Sequence, residues 1–138
     1  MAKVKYIPVD IYRITPTVFV GDFKDLVSFV KRKTMGAEED YADLLEGIGN
    51  DSKETCTFDA STYWNNKTRT LILYFPEFTK KPHDINNVVH ELSHATFIIL
   101  DNVGIDVDVF NNEAFAYLQG YLAEQIYDED GYEELQND

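Results

Sequence analysis

Alternating, continuous and helically spaced apolar positions divide this chain into elements. Val9–Ile14 alternates apolar with polar and predicts a strand; Thr15 and Pro16 interrupt it, and Thr17–Val20 extends the same edge. Phe23, Leu26, Val27 and Val30 recur at i, i+3, i+4 and i+7 and predict a helix that begins near Asp22. Lys31, Arg32 and Lys33 face its negative C-terminal end, and Gly36 terminates it. Tyr41, Leu44, Leu45 and Ile48 predict a short helix within Ala37–Asn50, broken by Gly47 and Gly49. After the polar stretch Asp51–Glu54, the run Thr55–Trp64 alternates Cys56, Phe58, Ala60, Thr62 and Trp64 against polar partners. Turn formers fill Asn65–Thr68, and Arg69–Phe75 resumes as a strand up to Pro76, so an antiparallel hairpin is expected.

Asn86–Leu100 is apolar on almost every side and predicts a core helix. Asp101–Asp108, with Gly104, reverses the chain, and Asp108 or Asn111 can cap a last helix. Its buried stripe is expected to be Phe110, Ala114, Phe115, Leu118, Leu122 and Ile126, with Glu113, Tyr117, Gly120 and Glu124 on another face. From Asp128 the pattern is lost. Residues 1–127 are therefore read as a single domain and 128–138 as an acidic, mobile tail. The order of elements gives an α+β domain, a small twisted mixed sheet whose hairpin packs on the Asn86–Leu100 helix, with the Glu113 helix crossing beneath.

Composition narrows the possible partners. The 138 residues are 44% hydrophobic and 14% aromatic, enough for a packed core. A formal charge of −13 argues against non-specific binding to nucleic acid or to an anionic membrane. There is no run of about 18 apolar residues that would span a bilayer. The single cysteine, Cys56, has no internal partner, and the opening MAKVKYIPVDIYR carries no signal-like apolar run, so a reducing, cytoplasmic address is expected. Cys56 reads as an ordinary packed thiol and His83 as a solvent-exposed residue at a helix entrance.

The Asn86–Leu100 helix contains only three ionisable residues, His90, Glu91 and His94. Such groups are costly on a buried helix unless something satisfies them. Histidines at i and i+4 lie on one helical face a turn apart and can turn a nitrogen each toward one point. This is the H-E-x-x-H arrangement, in which two neutral imidazoles hold Zn²⁺ and the Glu handles the proton of an activated water. A third ligand six residues after His94, with a Gly midway, is excluded because those positions are Leu100 and Phe97. Asp101 lies about 10 Å further along the axis at 1.5 Å per residue, beyond a shared ion. The next carboxylate embedded in an apolar helical pattern is Glu113, in Asn111–Tyr117.

HELSH at His90–His94 followed by NEAFA at Asn112–Ala116 resembles the gluzincins, zincin-like zinc metallopeptidases, and at this length the chain is most similar to a minigluzincin. The resemblance spans from the strand near Leu71 to the helix ending near Tyr127. It implies one zinc ion on His90, His94 and Glu113, with Glu91 as general base. It also implies an extended peptide or protein substrate added to a strand edge beside the metal helix. Thr55–Trp64 and Arg69–Phe75 are both candidates for that edge. Many gluzincins read NExxSD, and here Ala116 and Tyr117 replace the last two residues, so the usual partner of the first zinc histidine is missing. Tyr117, one turn after Glu113, is a candidate for stabilising the oxyanion, as are Tyr63 and Tyr74 by residue type. The alternatives are a zinc-bearing interaction or regulatory domain without catalysis, such as a small viral accessory protein, and a metal-free acidic binding module.

Overall fold

Strand pairing organises the chain from its first residues. In the computed structural model, which describes residues 2–33 and 60–135, β1 (Lys3–Tyr6) pairs antiparallel with β2 (Thr17–Val20). A helix, α1 (Phe23–Lys33), follows β2. Strands β3 (Ser61–Asn65) and β4 (Thr70–Phe75) form the expected antiparallel hairpin, and β4 lies parallel to β2 with Val18 opposite Leu73. Two helices, α2 (Pro82–Asn102) and α3 (Glu113–Tyr127), precede the two-residue strand β5 (Glu133–Glu134), which pairs antiparallel with β1. The sheet order is β3-β4-β2-β1-β5, so the architecture is α+β with a five-stranded mixed sheet.

The pleat sends alternate residues of the inner strands to two separate cores. Val18, Val20, Leu71, Leu73 and Phe75 face α2 and α3, where they meet Val88, Leu92, Ala95, Ile99, Leu118, Leu122 and Ile126. Val4, Phe19, Ile72 and Tyr74 face the opposite way, onto Leu26, Phe29 and Val30 of α1. This explains the unbroken apolar run of β4, which is covered on both sides. No helix among the described residues is long and apolar enough to cross a membrane.

Several sequence expectations change. Val9–Ile14 is not a strand: its ends form one bridge, Val9 to Ile14, around a short 3-10 turn at Asp10–Tyr12, with Arg13 in the left-handed region at φ 54°. Burying both ends of a tight turn reproduces the alternation of a strand. The strand that pairs instead, Lys3–Tyr6, was hidden by Lys5, a lysine on the core side. Phe110 does not join the buried stripe of α3 but is 98% exposed, because the helix starts only at Glu113. The helix expected within Ala37–Asn50, Gly36, Cys56 and the start of the Thr55–Trp64 run lie outside the described residues.

Residues after Tyr127 also differ from the patternless tail expected of them, since β5 joins the sheet and Leu135 N–H donates to the Ala2 carbonyl at 2.8 Å. Lys5 holds this end together. Its ammonium donates to the carbonyls of Gln125 (2.6 Å) and Asp128 (2.9 Å) at the C-terminus of α3, and it lies 5.2 Å from the centre of the Tyr132 ring. A cation here satisfies carbonyls that a helix end leaves unpaired and complements the negative end of its dipole. Gly131, at φ 92°, brings the backbone so close that a Cβ would sit 3.1 Å from Lys5 Cε. Lys5→Met keeps the stem and removes both charge-assisted bonds. It is expected to lower the unfolding free energy by about 2 kcal/mol without changing the urea slope, and a loss within error of zero would show that water replaces the ammonium.

Candidate metal centre

Helix α2 begins at Pro82, whose missing N–H costs nothing at a first helical position, after an extended Lys81. Thr79 donates to the buried Asp84 carboxylate and accepts from Lys81 N–H at 3.1 Å, which fixes the entry of the chain. From there the 3.6-residue period turns Asp84, Val88, Glu91, Leu92, Ala95 and Ile99 inward. His90 and His94 must then point outward, and both are exposed.

The two rings meet edge to face with centroids 4.8 Å apart and Nε2 atoms 3.2 Å apart. Glu91 is only 7% exposed. Its Oε1 accepts from the Thr62 hydroxyl at 3.0 Å, that hydroxyl also lies 3.1 Å from the Glu91 carbonyl, and Oε2 stands 4.0 Å from His90 Nε2. A ligand atom from each of His90, Glu91 and His94 falls within 4.8 Å of the others. Burial pushes the Glu91 carboxyl above the usual carboxylate range, against the opposing pull of Thr62 and the two imidazoles.

The three side chains form a group that could hold a metal ion. Two Zn–N bonds of 2.0–2.1 Å at a tetrahedral angle separate the nitrogens by about 3.3 Å; the two Nε2 atoms stand 3.2 Å apart, a separation that a hydrogen bond between the rings gives as well. Imidazole nitrogen with a neighbouring carboxylate also suits this borderline-soft ion.

Glu113 and Tyr117 are placed differently. The group formed by His90, Glu91 and His94 does not include Glu113, which is exposed at the first position of α3. Tyr117 is 76% exposed and lines a cavity against residues 8–12, whose walls include no member of that group. The cause lies in how α3 docks on α2. Phe115 packs against Phe97 with ring centroids 4.6 Å apart and the planes tilted by 46°, and Gln119 donates to Ser93 Oγ at 2.8 Å. Residues two places from Phe115 in either direction, Glu113 and Tyr117, are turned roughly 160° around the helix from that contact. His83 is exposed, as expected, with a ring nitrogen 3.5 Å from Asn87 Nδ2. Tyr63 and Tyr74 belong to the core on the α1 side of the sheet, away from the helix that carries the histidines.

Thr62 is the site residue that sequence reasoning missed. Its place among Cys56, Phe58, Ala60 and Trp64 in the strand alternation puts it on the apolar side, and a hydroxyl at such a position is the available signal. The Ser93–Gln119 bridge gave no signal, since both residues are ordinary on helix flanks. Comparison of the chain with protein-family profiles, with curated proteins and with solved structures gives no match.

Glu91 makes stability depend on pH in the metal-free protein. With its folded pKa above the unfolded one, the native state holds the proton more tightly, so stability falls as pH rises from the ordinary carboxylate range through the raised value. Glu91→Gln does not titrate. In chelator-treated protein its stability relative to the parent is expected to rise from acid toward neutral pH. Parallel stability curves for parent and variant across that range would contradict the burial argument.

Proposed function

We propose that this chain is a zinc-dependent peptidase of gluzincin type, acting at His90, Glu91 and His94 in a reducing, cytoplasmic compartment. The observation that carries the reading is the facing pair of exposed imidazoles beside a buried carboxylate whose one oxygen is held by a strand hydroxyl. A bound zinc ion supplies Lewis-acid polarisation of the scissile carbonyl and acidifies water.

His90 and His94 each offer Nε2 from the exposed face of α2. The likeness of HELSH and NEAFA to the gluzincin motifs implies Glu113 as the third protein ligand, although its carboxylate stands outside the histidine group in this structure. Glu91 takes a proton from the attacking water on Oε2, the oxygen that Thr62 leaves free, and passes it to the leaving amine. Thr62 fixes the carboxylate and offsets part of its burial. The same strand, β3, pairs with β4 on one side and with no other strand among the described residues, so its outer edge can receive an extended peptide by strand addition beside Glu91. Of the two strands considered for that role, β4 is interior and β3 is at the edge. No step is assigned to Tyr117.

A second reading, a zinc-bearing interaction domain without catalysis, is favoured by the position of Glu113 and Tyr117 outside the histidine group. Metal analysis and a quenched-fluorescence library of extended peptides separate the two. One zinc per chain is expected, lost in His90→Ala, His94→Ala and Glu113→Ala. Glu91→Gln is expected to keep zinc and lose cleavage by about 10²-fold or more. Thr62→Val should keep zinc and lower cleavage by about 10-fold to 100-fold, with partial recovery in Thr62→Ser. Zinc at equal molar amount without cleavage would select the second reading, and absence of zinc affinity would remove both.

A further inference from the structure

Away from the histidine group, the 3-10 turn at Asp10–Tyr12 and the outer flank of α3 border an open surface cavity of about 430 Å³. That volume is in the range of about 300–1,000 Å³ typical of ligand sites. Three of its walls are tyrosines, Tyr12, Tyr117 and Tyr121, and its one charged lining residue is Asp10. Among the described residues the Asp10 carboxylate has no ion-pair partner. Tyr121 donates its hydroxyl to the Pro8 carbonyl at 3.0 Å, which ties α3 to the turn and fixes one wall. Leu118 is buried, while Ile11 is 83% and Tyr117 76% exposed, so the cavity runs from an apolar floor to an open, aromatic mouth.

We propose that this cavity binds the side chain of an arginine or lysine in a basic peptide segment. Its walls supply what such a side chain needs at each level. The apolar floor accepts the aliphatic stem. Aromatic rings attract a cation through their quadrupole, most strongly when the cation is partly desolvated, and an unpaired carboxylate adds a direct charge. The formal charge of −13 on the whole chain raises the local concentration of basic segments. An apolar residue would fill the floor but leave the Asp10 carboxylate unanswered, and an acidic one would be repelled. The proposal is independent of the metal centre, because no histidine of that group lines the cavity.

The test titrates the full chain with blocked glycine pentapeptides that carry arginine, lysine, norleucine or glutamate at the centre, read by the ring resonances of Tyr12, Tyr117 and Tyr121. The arginine and lysine peptides are expected to shift these resonances with an affinity about tenfold above that of norleucine, and glutamate is expected to be silent. Asp10→Asn should weaken the arginine peptide about fivefold. Tyr117→Leu, at a position 76% exposed, should weaken arginine more than norleucine. Salt raised from about 0.05 to about 0.5 M should lower the affinity of the basic peptides only. Equal binding of norleucine and arginine, an Asp10→Asn variant that binds like the parent, or no shift at any of the three tyrosines would each overturn the proposal. Because binding is read at the tyrosines and not through cleavage, a failed zinc assay leaves this result standing.

Discussion

Everything at the candidate centre follows from how α2 is seated on β4. Val88, Leu92, Ala95 and Ile99 pack on Leu71, Leu73 and Phe75, and burying that stripe removes any choice about the remaining faces of the helix. At 100° per residue Glu91 lies roughly 70° from the centre of that stripe, while His94 and His90 lie roughly 130° and 170° from it. Glu91 is therefore trapped at the seam between helix and sheet, and the histidines are left on the open side. A carboxylate at that seam is expensive unless a donor reaches it. The hairpin answers the cost with Thr62, so the position of β3 and the orientation of Glu91 are one structural fact seen from two sides.

The parts of the fold legible in sequence were those where a single pattern had a single cause. The hairpin could be read from the turn formers at Asn65–Thr68, α1 from Phe23, Leu26, Val27 and Val30, and the existence of α2 from its long apolar run, although that run is not buried all round: Val89 and Phe97 are about half exposed and both histidines lie on the open face. The end of α2 followed from Gly104, which adopts φ 78° just after the helix while Ile105 N–H returns to the Leu100 carbonyl. Misreadings arose where two causes give one pattern. Val9–Ile14 alternates because a tight turn buries both ends, and Lys5 reads as a surface residue because its partners, two helix-end carbonyls more than a hundred residues away, are invisible to local pattern.

The site divides in the same way. His90, Glu91 and His94 share one helix, so their mutual geometry is fixed by helical period and could be read directly. Glu113 and Tyr117 stand on a different helix, and their direction depends on which residues of α3 touch α2. That docking is decided by Phe97 against Phe115 and by Ser93 with Gln119, contacts that no spacing rule encodes. Thr62 is the converse case. Its side was legible from strand alternation, while its purpose became legible only once Glu91 was found at the seam.

The pairing of β5 with β1 also bears on the order in which the protein folds. Val4 meets Glu133 and Ala2 meets Leu135 across almost the whole described chain, whereas β3, β4, α2 and α3 are consecutive in sequence. Closing the largest loop costs the most chain entropy, and contacts distant in sequence slow folding relative to local ones. The hairpin and its two helices can thus assemble as a nucleus that already contains the histidines, Glu91 and Thr62, with the outermost strands zipping on afterwards. In kinetic terms, substitutions at Leu135 should speed unfolding and leave the refolding rate nearly unchanged, while those at Leu73 or Leu92 should slow refolding itself.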